Sequence, residues 1–287
     1  MTVPSLDLSD LGVELKAPAE LPTTTGMAIY GEPGSGKTWL AASAVEVEEL
    51  SPVLFLDTEN SAAAVADKYR DNPNIKVAQL KDWNTTRQVL SRVMRGDHGY
   101  KTVVLDTVNG IQSQLQLHMI QRAELKRRLQ SIPPNRLTAE QRNQLTSLAG
   151  VKLIENTNNS LGESTTSLTD YGVLGTKMAE IIVGYMQAEF FSIFVTHTHV
   201  DKDEQTGKLN MSPDMSGRIA KRELGGKPHI LAHMSLGYDS EGGTRTMARF
   251  RNSTVGNTLI SAKDRLGVLP PTMNNPSMPD IWAHINK

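Results

Sequence analysis

Residues 31–38 read Gly-Glu-Pro-Gly-Ser-Gly-Lys-Thr, the pattern G-x-x-x-x-G-K-T, and their surroundings narrow the choice of fold sharply. The apolar run Met27–Tyr30 before them reads as a buried strand, and Trp39–Leu50 after them as a helix. A strand, a glycine-rich turn and a helix in that order make a loop that binds phosphate. The glycines let successive backbone N–H groups turn toward phosphate oxygens, with the positive end of a helix behind them. Lys37 is the expected cation for the β- and γ-phosphates of ATP, and Thr38 the expected hydroxyl ligand of Mg²⁺. The candidate nucleotide-binding set is Gly31, Glu32, Pro33, Gly34, Ser35, Gly36, Lys37, Thr38 and Trp39.

Apolar runs at Val53–Leu56, Ile75–Leu80, Thr102–Leu105 and Phe190–Val195 alternate with helical patterns at Ala62–Arg70, around Val89–Met94 and around Leu174–Tyr185. Strands alternating with helices imply an α/β chain whose central sheet is mainly parallel and flanked by helices. The expected core spans residues 24–269. Its rhythm breaks after Asp106, where residues 111–154 read as two helices separated by Pro133-Pro134, with a Thr138/Gln141 capping box on the second. The stretch Asn156–Thr169 is polar and reads as a loop, so 111–170 forms a helical and loop insertion. Ile230–Leu236, Arg245–Phe250 and Thr258–Ala262 read as late strands joined by hairpins, with a polar loop ahead of them. Residues 1–23 form a polar lead-in and candidate subunit contact, and residues 270–287 a Pro-rich tail.

Composition removes several alternatives. There is no cysteine, so disulfides and thiolate metal sites are excluded. Lys and Arg total 30 against 31 Asp and Glu, a net charge of −1, which excludes a uniformly basic coat but not a local basic surface. Aromatic residues are 5% of the chain, too few for a base-stacking platform. The longest apolar stretch, Ala179–Val195, is interrupted by Glu180, Gly184, Gln187 and Glu189, so no membrane span is expected. No signal peptide is visible, and the expected location is the cytoplasm.

Asp106 closes an apolar strand, the setting of a carboxylate that holds Mg²⁺. Hydrolysis also needs a group that orients water, and Asp106 is followed by Thr107 rather than by an acid. Asp57 and Glu59 end the strand after the phosphate loop, on the sheet edge where ligands bind in such folds. Glu59, longer and further out, is the better base. A helix-capping role for the acidic pair is the alternative.

These residues together resemble the RecA-like ATPases. Val53–Glu59 looks like the strand that carries their catalytic glutamate, and Thr102–Thr107 like their Walker B strand. The helix after Gly172 and the strand to His197 follow in the same order. The chain is most similar to the short phage RecA-core proteins of recombination and single-strand annealing. That resemblance implies a γ-phosphate sensor at His197. It also implies a paired-cation finger, Lys263 and Arg265, reaching a neighbour's ATP across an interface in a filament or ring. A rival reading of His197-Thr-His199-Val-Asp201 is the H-x-H-x-D metal motif of metallo-β-lactamase-like hydrolases, which here lacks its final histidine.

The resemblance further implies that two loops face single-stranded DNA, about Asn156–Tyr171 and about Thr198–Arg218. The inserted helices carry Arg122, Lys126, Arg127, Arg128, Arg136 and Arg142 against two acids. Lys202, Lys208, Arg218, Lys221 and Arg222 add a second basic region, followed by Lys227. Such cations would give affinity without choice of sequence, and a solvated helix pair is the bland alternative. The expected function is ATP-driven annealing or strand exchange in phage recombination, in the cytoplasm of a bacterial host and in contact with a phage single-strand-binding protein. A DnaB-like helicase motor and a nucleotide-gated scaffold are the rival functions.

Overall fold

The computed structural model describes residues 26–148, 168–238 and 242–287. The lead-in 1–23 and most of the polar loop 156–169 lie outside them. In chain order the elements of the first half are β1 Gly26–Gly31, α1 Lys37–Ala42, β2 Val53–Asp57, α2 Ala66–Tyr69, β3 Ile75–Gln79, α3 Trp83–Met94, β4 Thr102–Asp106, α4 Val108–Gln130 and α5 Ala139–Ser147. The second half begins α6 Leu168–Gln187, β5 Phe191–Thr196, β6 Thr198–Lys202, β7 Leu209–Pro213, α7 Arg218–Gly226 and β8 Ile230–Tyr238. It ends β9 Thr244–Arg249, β10 Ser253–Val255, β11 Thr258–Ile260, β12 Lys263–Asp264, β13 Thr272–Asn274 and α8 Met278–Ile285.

The main sheet runs β13-β9-β8-β1-β5-β4-β2-β3, with β12 also on β8. Strands β8, β1, β5, β4, β2 and β3 are parallel, and β9, β12 and β13 join antiparallel. The architecture is therefore α/β, with a mostly parallel sheet flanked by helices and late β-hairpins. A parallel sheet needs both faces covered, and two hydrophobic clusters supply the cover. Met27, Ile29, Phe55, Val104 and Ile193 point to one face, with Leu40 of α1 and Ile281 of α8. Ala28, Leu56, Leu105 and Phe194 point to the other, with Leu90 of α3, Ile111 of α4, Met178 of α6 and Leu224 of α7.

Three segments differ most from the sequence expectation, besides Ala62–Arg70, where a 3-10 turn over 61–65 precedes the short α2. The helix expected over Trp39–Leu50 ends at Ala42 and continues as two 3-10 turns, 43–46 and 48–50. Ser43 Oγ donates to the Leu40 carbonyl and accepts from Met278 N–H, and the β-branched Val45 and Val47 weaken the regular helix. The expected loop Thr198–Arg218 is mostly a β-hairpin, β6 against β7, in a second sheet ordered β10-β11-β7-β6. Its turn is set by Asp203, whose Oδ1 accepts from Gln205 and Thr206 N–H, and by Gly207 at φ 68°. The tail after Pro270 carries β13, which lengthens the main sheet, and α8, whose Met278, Ile281 and Ile285 are buried.

The described part of the insertion ahead of residue 149 forms a helix pair. Helix α4 is about 35 Å long, and Leu129 packs with Leu137 and Leu148 in a small core of its own. The capping box is present: Thr138 Oγ1 accepts from Gln141 N–H while Gln141 Oε1 accepts from Thr138 N–H.

Candidate functional site: a phosphate loop facing two carboxylates

The phosphate loop leaves the C-terminal end of β1, which lies between β8 and β5 inside the main sheet. Gly34 and Gly36 take φ of 78° and 89°, backbone that a side chain resists. Gly36 caps α1 without any side-chain bond to the helix N–H groups. Lys37 is buried, and its Nζ donates to the Gly31 and Glu32 carbonyls, both at 2.9 Å. Burial lowers the Lys37 pKa, opposed by Asp106, Glu32 and Glu59. Ser35 Oγ is buried without a partner among the described residues. The loop thus holds a buried cation and a buried, unsatisfied hydroxyl. Trp39, one turn away, is exposed, with Lys68 Nζ 5.9 Å from its ring centroid.

Strand register brings the acids to this loop. Asp57 at the end of β2 lies opposite Asp106 at the end of β4, and Asp106 lies opposite Val195 of β5. Thr38 Oγ1 donates to Asp106 Oδ2 at 2.9 Å, while Asp106 Oδ1 is buried without a hydrogen-bond partner among the described residues. Burial first, then Asp57 and Glu59 nearby, pushes the Asp106 carboxyl up to about 6. An oxygen-only pair with one orphaned carboxylate oxygen fits a hard divalent cation such as Mg²⁺, and Thr38 with Asp106 would hold it.

The two acids on β2 divide their roles. Asp57 is buried and caps the turn 61–65, accepting from the N–H groups of Glu59, Ser61 and Ala62 and from Ser61 Oγ. Glu59 projects beyond it. Its Oε1 accepts from Thr107 Oγ1 at 2.7 Å and stands 3.5 Å from His197 Nε2. Lys37, Thr38, Glu59, Asp106 and His197 therefore lie on one sheet edge. His199 does not join them; it pairs with Asp201 at 2.7 Å and faces Asp214 at 3.7 Å. Among the described residues, no group of three or more His, Cys, Asp or Glu could hold a metal ion, so the H-x-H-x-D reading has no cluster behind it.

Lys263 and Arg265 lie elsewhere. Strand β12 pairs with the start of β8, Lys263 opposite Leu231 and Asp264 opposite Ile230, whereas the phosphate loop is level with Met234. That is about 10 Å back along the strand, toward the opposite sheet edge. Both side chains donate to the Gly226 carbonyl at the end of α7. Burial, with Arg265 beside it, lowers the Lys263 pKa to about 8.

The basic candidates fall into two regions. On α4, Arg122 donates to the Ser147 carbonyl. Arg128 is exposed, and Lys126 and Arg127 are partly buried on the same helix. On the hairpin and α7, Lys202, Lys208 and Arg218 are exposed. Lys221 pairs with Asp201 at 3.1 Å and Arg222 with Glu223 at 2.7 Å.

Sequence pattern does not single out the residues that knit this edge together. Thr107 caps α4 through Gly110 N–H and also donates to Glu59. Thr58 Oγ1 accepts from Thr107 N–H. Asn109 spans from α4 to both His197 and Asp214. A cap signal, Thr before a helix, exists for Thr107; the roles of Thr58 and Asn109 are tertiary. Two glycines allow the neighbouring close approach. A Cβ on Gly175 of α6 would stand 3.1 Å from the Gly217 Cα, where φ is 88°.

No helix among the described residues is long and apolar enough to cross a membrane. No curated protein matches the sequence. Among solved structures, the crystal structure of the RadB recombinase is similar at 15% identity, covering 79% of this chain and 80% of that chain, with a TM-score of 0.39. A family model described as an AAA domain matches residues 23–266. With its phosphate loop, its strand-end aspartate and that match over most of its length, the chain belongs to the AAA domain family.

Proposed function

We propose that this protein is a RecA-like ATPase that binds single-stranded DNA and promotes annealing or strand exchange, as in the recombination modules of phages. One observation carries the reading: Lys37, Thr38, Asp106, Glu59 and His197 converge on a single edge of a parallel sheet, around a glycine-rich loop. The loop N–H groups and Lys37 would bind the β- and γ-phosphates. Thr38 and Asp106 would hold Mg²⁺, which when bound neutralises charge on the phosphates. Glu59 would orient water and take its proton, and Thr107 would aim the carboxylate. His197, between Glu59 and the β6–β7 hairpin, would report the γ-phosphate.

Lys263 and Arg265 would act on the ATP of a neighbouring subunit. Their position toward the edge opposite their own phosphate loop supports a role in trans over one in cis. Such a pair requires a ring or a filament. The basic residues of α4, the hairpin and α7 would contact DNA phosphates, in the bacterial cytoplasm and alongside a single-strand-binding protein. Steady-state ATP hydrolysis with and without single-stranded DNA tests the proposal, with Glu59→Gln as the control. Turnover stimulated by DNA and lost in Glu59→Gln is expected. No turnover in the wild type would leave a nucleotide-gated scaffold, and unwinding of duplex would favour a helicase motor.

A further inference from the structure

We infer that Asn109 is a positioning residue, which sets His197 against Glu59 and locks both ends of the β6–β7 hairpin to the nucleotide site. The assignment rests on the ATPase reading above and adds to it a residue outside the phosphate loop and its carboxylates.

Asn109 lies in the first turn of α4, three residues after Asp106. Its amide is fully engaged. Oδ1 accepts from His197 N–H at 3.0 Å, and Thr196 Oγ1 lies 2.6 Å from it and 2.7 Å from the Asp214 carbonyl, sharing its single proton between the two. Nδ2 donates to the Asp214 carbonyl at 3.1 Å and to Asp214 Oδ2 at 3.0 Å. A backbone N–H on one side and two acceptors on the other fix which end of the amide is oxygen. His197 immediately precedes the hairpin and Asp214 follows it, and Asp214 N–H donates back to the His197 carbonyl at 2.8 Å. One side chain thus closes the base of the hairpin and anchors it to the helix that starts beside Asp106.

The consequence runs in two directions. Toward the nucleotide, the bond to His197 N–H fixes the backbone from which the imidazole reaches Glu59 at 3.5 Å. Toward the surface, Asp214 faces His199, which pairs with Asp201, which pairs with Lys221 of α7. A displacement of His197 by an arriving γ-phosphate would pull on Asn109 and move the hairpin and α7 together. Neighbouring bonds make the joint stiff: Gln112 exchanges two hydrogen bonds with the Ser216 backbone one turn along α4.

The test compares ATP turnover of the wild type, His197→Ala, Asn109→Ala, Asn109→Asp and the double variant Asn109→Asp/Asp214→Asn. Folding is followed by thermal melting. Asn109→Ala should lower kcat on the order of 10- to 100-fold, because small misplacement of a reacting group costs that much. KM for ATP should stay within about 3-fold, since the phosphate loop is untouched. Asn109→Asp keeps the acceptor for His197 but sets two carboxylates face to face, and it should be slow. The double variant restores a donor opposite an acceptor and should recover part of the lost kcat. A wild-type kcat in folded Asn109→Ala, while His197→Ala is slow, overturns the assignment and leaves the ATPase reading standing. If Asn109→Ala does not fold, absence of any recovery in the double variant relative to Asn109→Asp overturns it instead. If neither the wild type nor any variant hydrolyses ATP, the ATPase reading fails and this assignment with it.

Discussion

His197 Nε2 stands 3.5 Å from Glu59 Oε1, and the same oxygen accepts the Thr107 hydroxyl at 2.7 Å. The proposed base is thus held by two partners from two other elements, β5's exit and the start of α4. In the proposed mechanism a change at the γ-phosphate would reach both of them.

Glu59→Gln keeps the shape of this contact and removes the basicity. ATP binding should be retained and turnover should fall by roughly 10²–10⁴-fold. A single-turnover assay with excess enzyme separates the two. Near-normal hydrolysis would move the base elsewhere, and Asp57, occupied in capping the turn 61–65, is a poor substitute.

Lys37→Ala removes the buried cation that now donates to the Gly31 and Glu32 carbonyls. Loss of a hydrogen bond to a charged group costs about 1.5–3 kcal/mol, so ATP affinity should fall at least about 10-fold. Titration of a fluorescent ATP analogue reads this directly, and unchanged affinity would refute the phosphate-loop assignment.

Asp106 links the site to pH. Its carboxyl is pushed up to about 6 by burial, with Asp57 and Glu59 adding to the effect. The folded chain then holds a proton that the unfolded chain has released, so nucleotide-free stability falls as pH rises from about 4 to about 6. The full penalty above that range is at most about 3 kcal/mol. Asp106→Asn should therefore melt higher than wild type at pH 8 and no higher at pH 4, while losing Mg²⁺-dependent nucleotide binding. Equal melting at pH 8 would mean the carboxylate is not penalised in the empty site.

Arg265→Ala should bind ATP in its own phosphate loop and lose turnover by about 10³–10⁵-fold if it serves a neighbour. Mixing it with Lys37→Ala should restore some activity, because the Lys37→Ala subunit lends an intact finger to an intact loop. Normal turnover in Arg265→Ala alone would return the pair to its contact with the Gly226 carbonyl as its whole role.

Replacing Arg127 and Arg128 with alanine should weaken single-stranded DNA binding and flatten its salt dependence. The slope of log affinity against log salt should shrink by about 1.4 if both meet phosphates. An unchanged slope would make them a solvated helix face.

The phosphate loop, the apolar strands and the aspartate at the end of Thr102–Asp106 are legible in the amino-acid sequence. They follow from local pattern, because glycine geometry and strand periodicity are short-range properties. The α/β layering follows from strands alternating with helices. Local signals also mislead in places. Thr198–Arg218 reads as a loop because its residues are polar, yet most of it is a hairpin held in a second sheet. The segment after Pro270 reads as a tail, yet Ile281 and Ile285 complete one face of the core.

The residue types of the site come from the sequence: a lysine and a threonine after a glycine-rich turn, and acids at strand ends. Which of them work together is decided only by the tertiary structure. Parallel register sets Asp57 opposite Asp106. Backbone capping then consumes Asp57 and leaves Glu59 free to meet Thr107 and His197. Antiparallel pairing of β12 carries Lys263 and Arg265 away from their own phosphate loop. Residue types and turns are written within a few positions of the chain. Partnerships across 48 positions, as between Glu59 and Thr107, exist only once strand register has been fixed by the packing of both sheet faces.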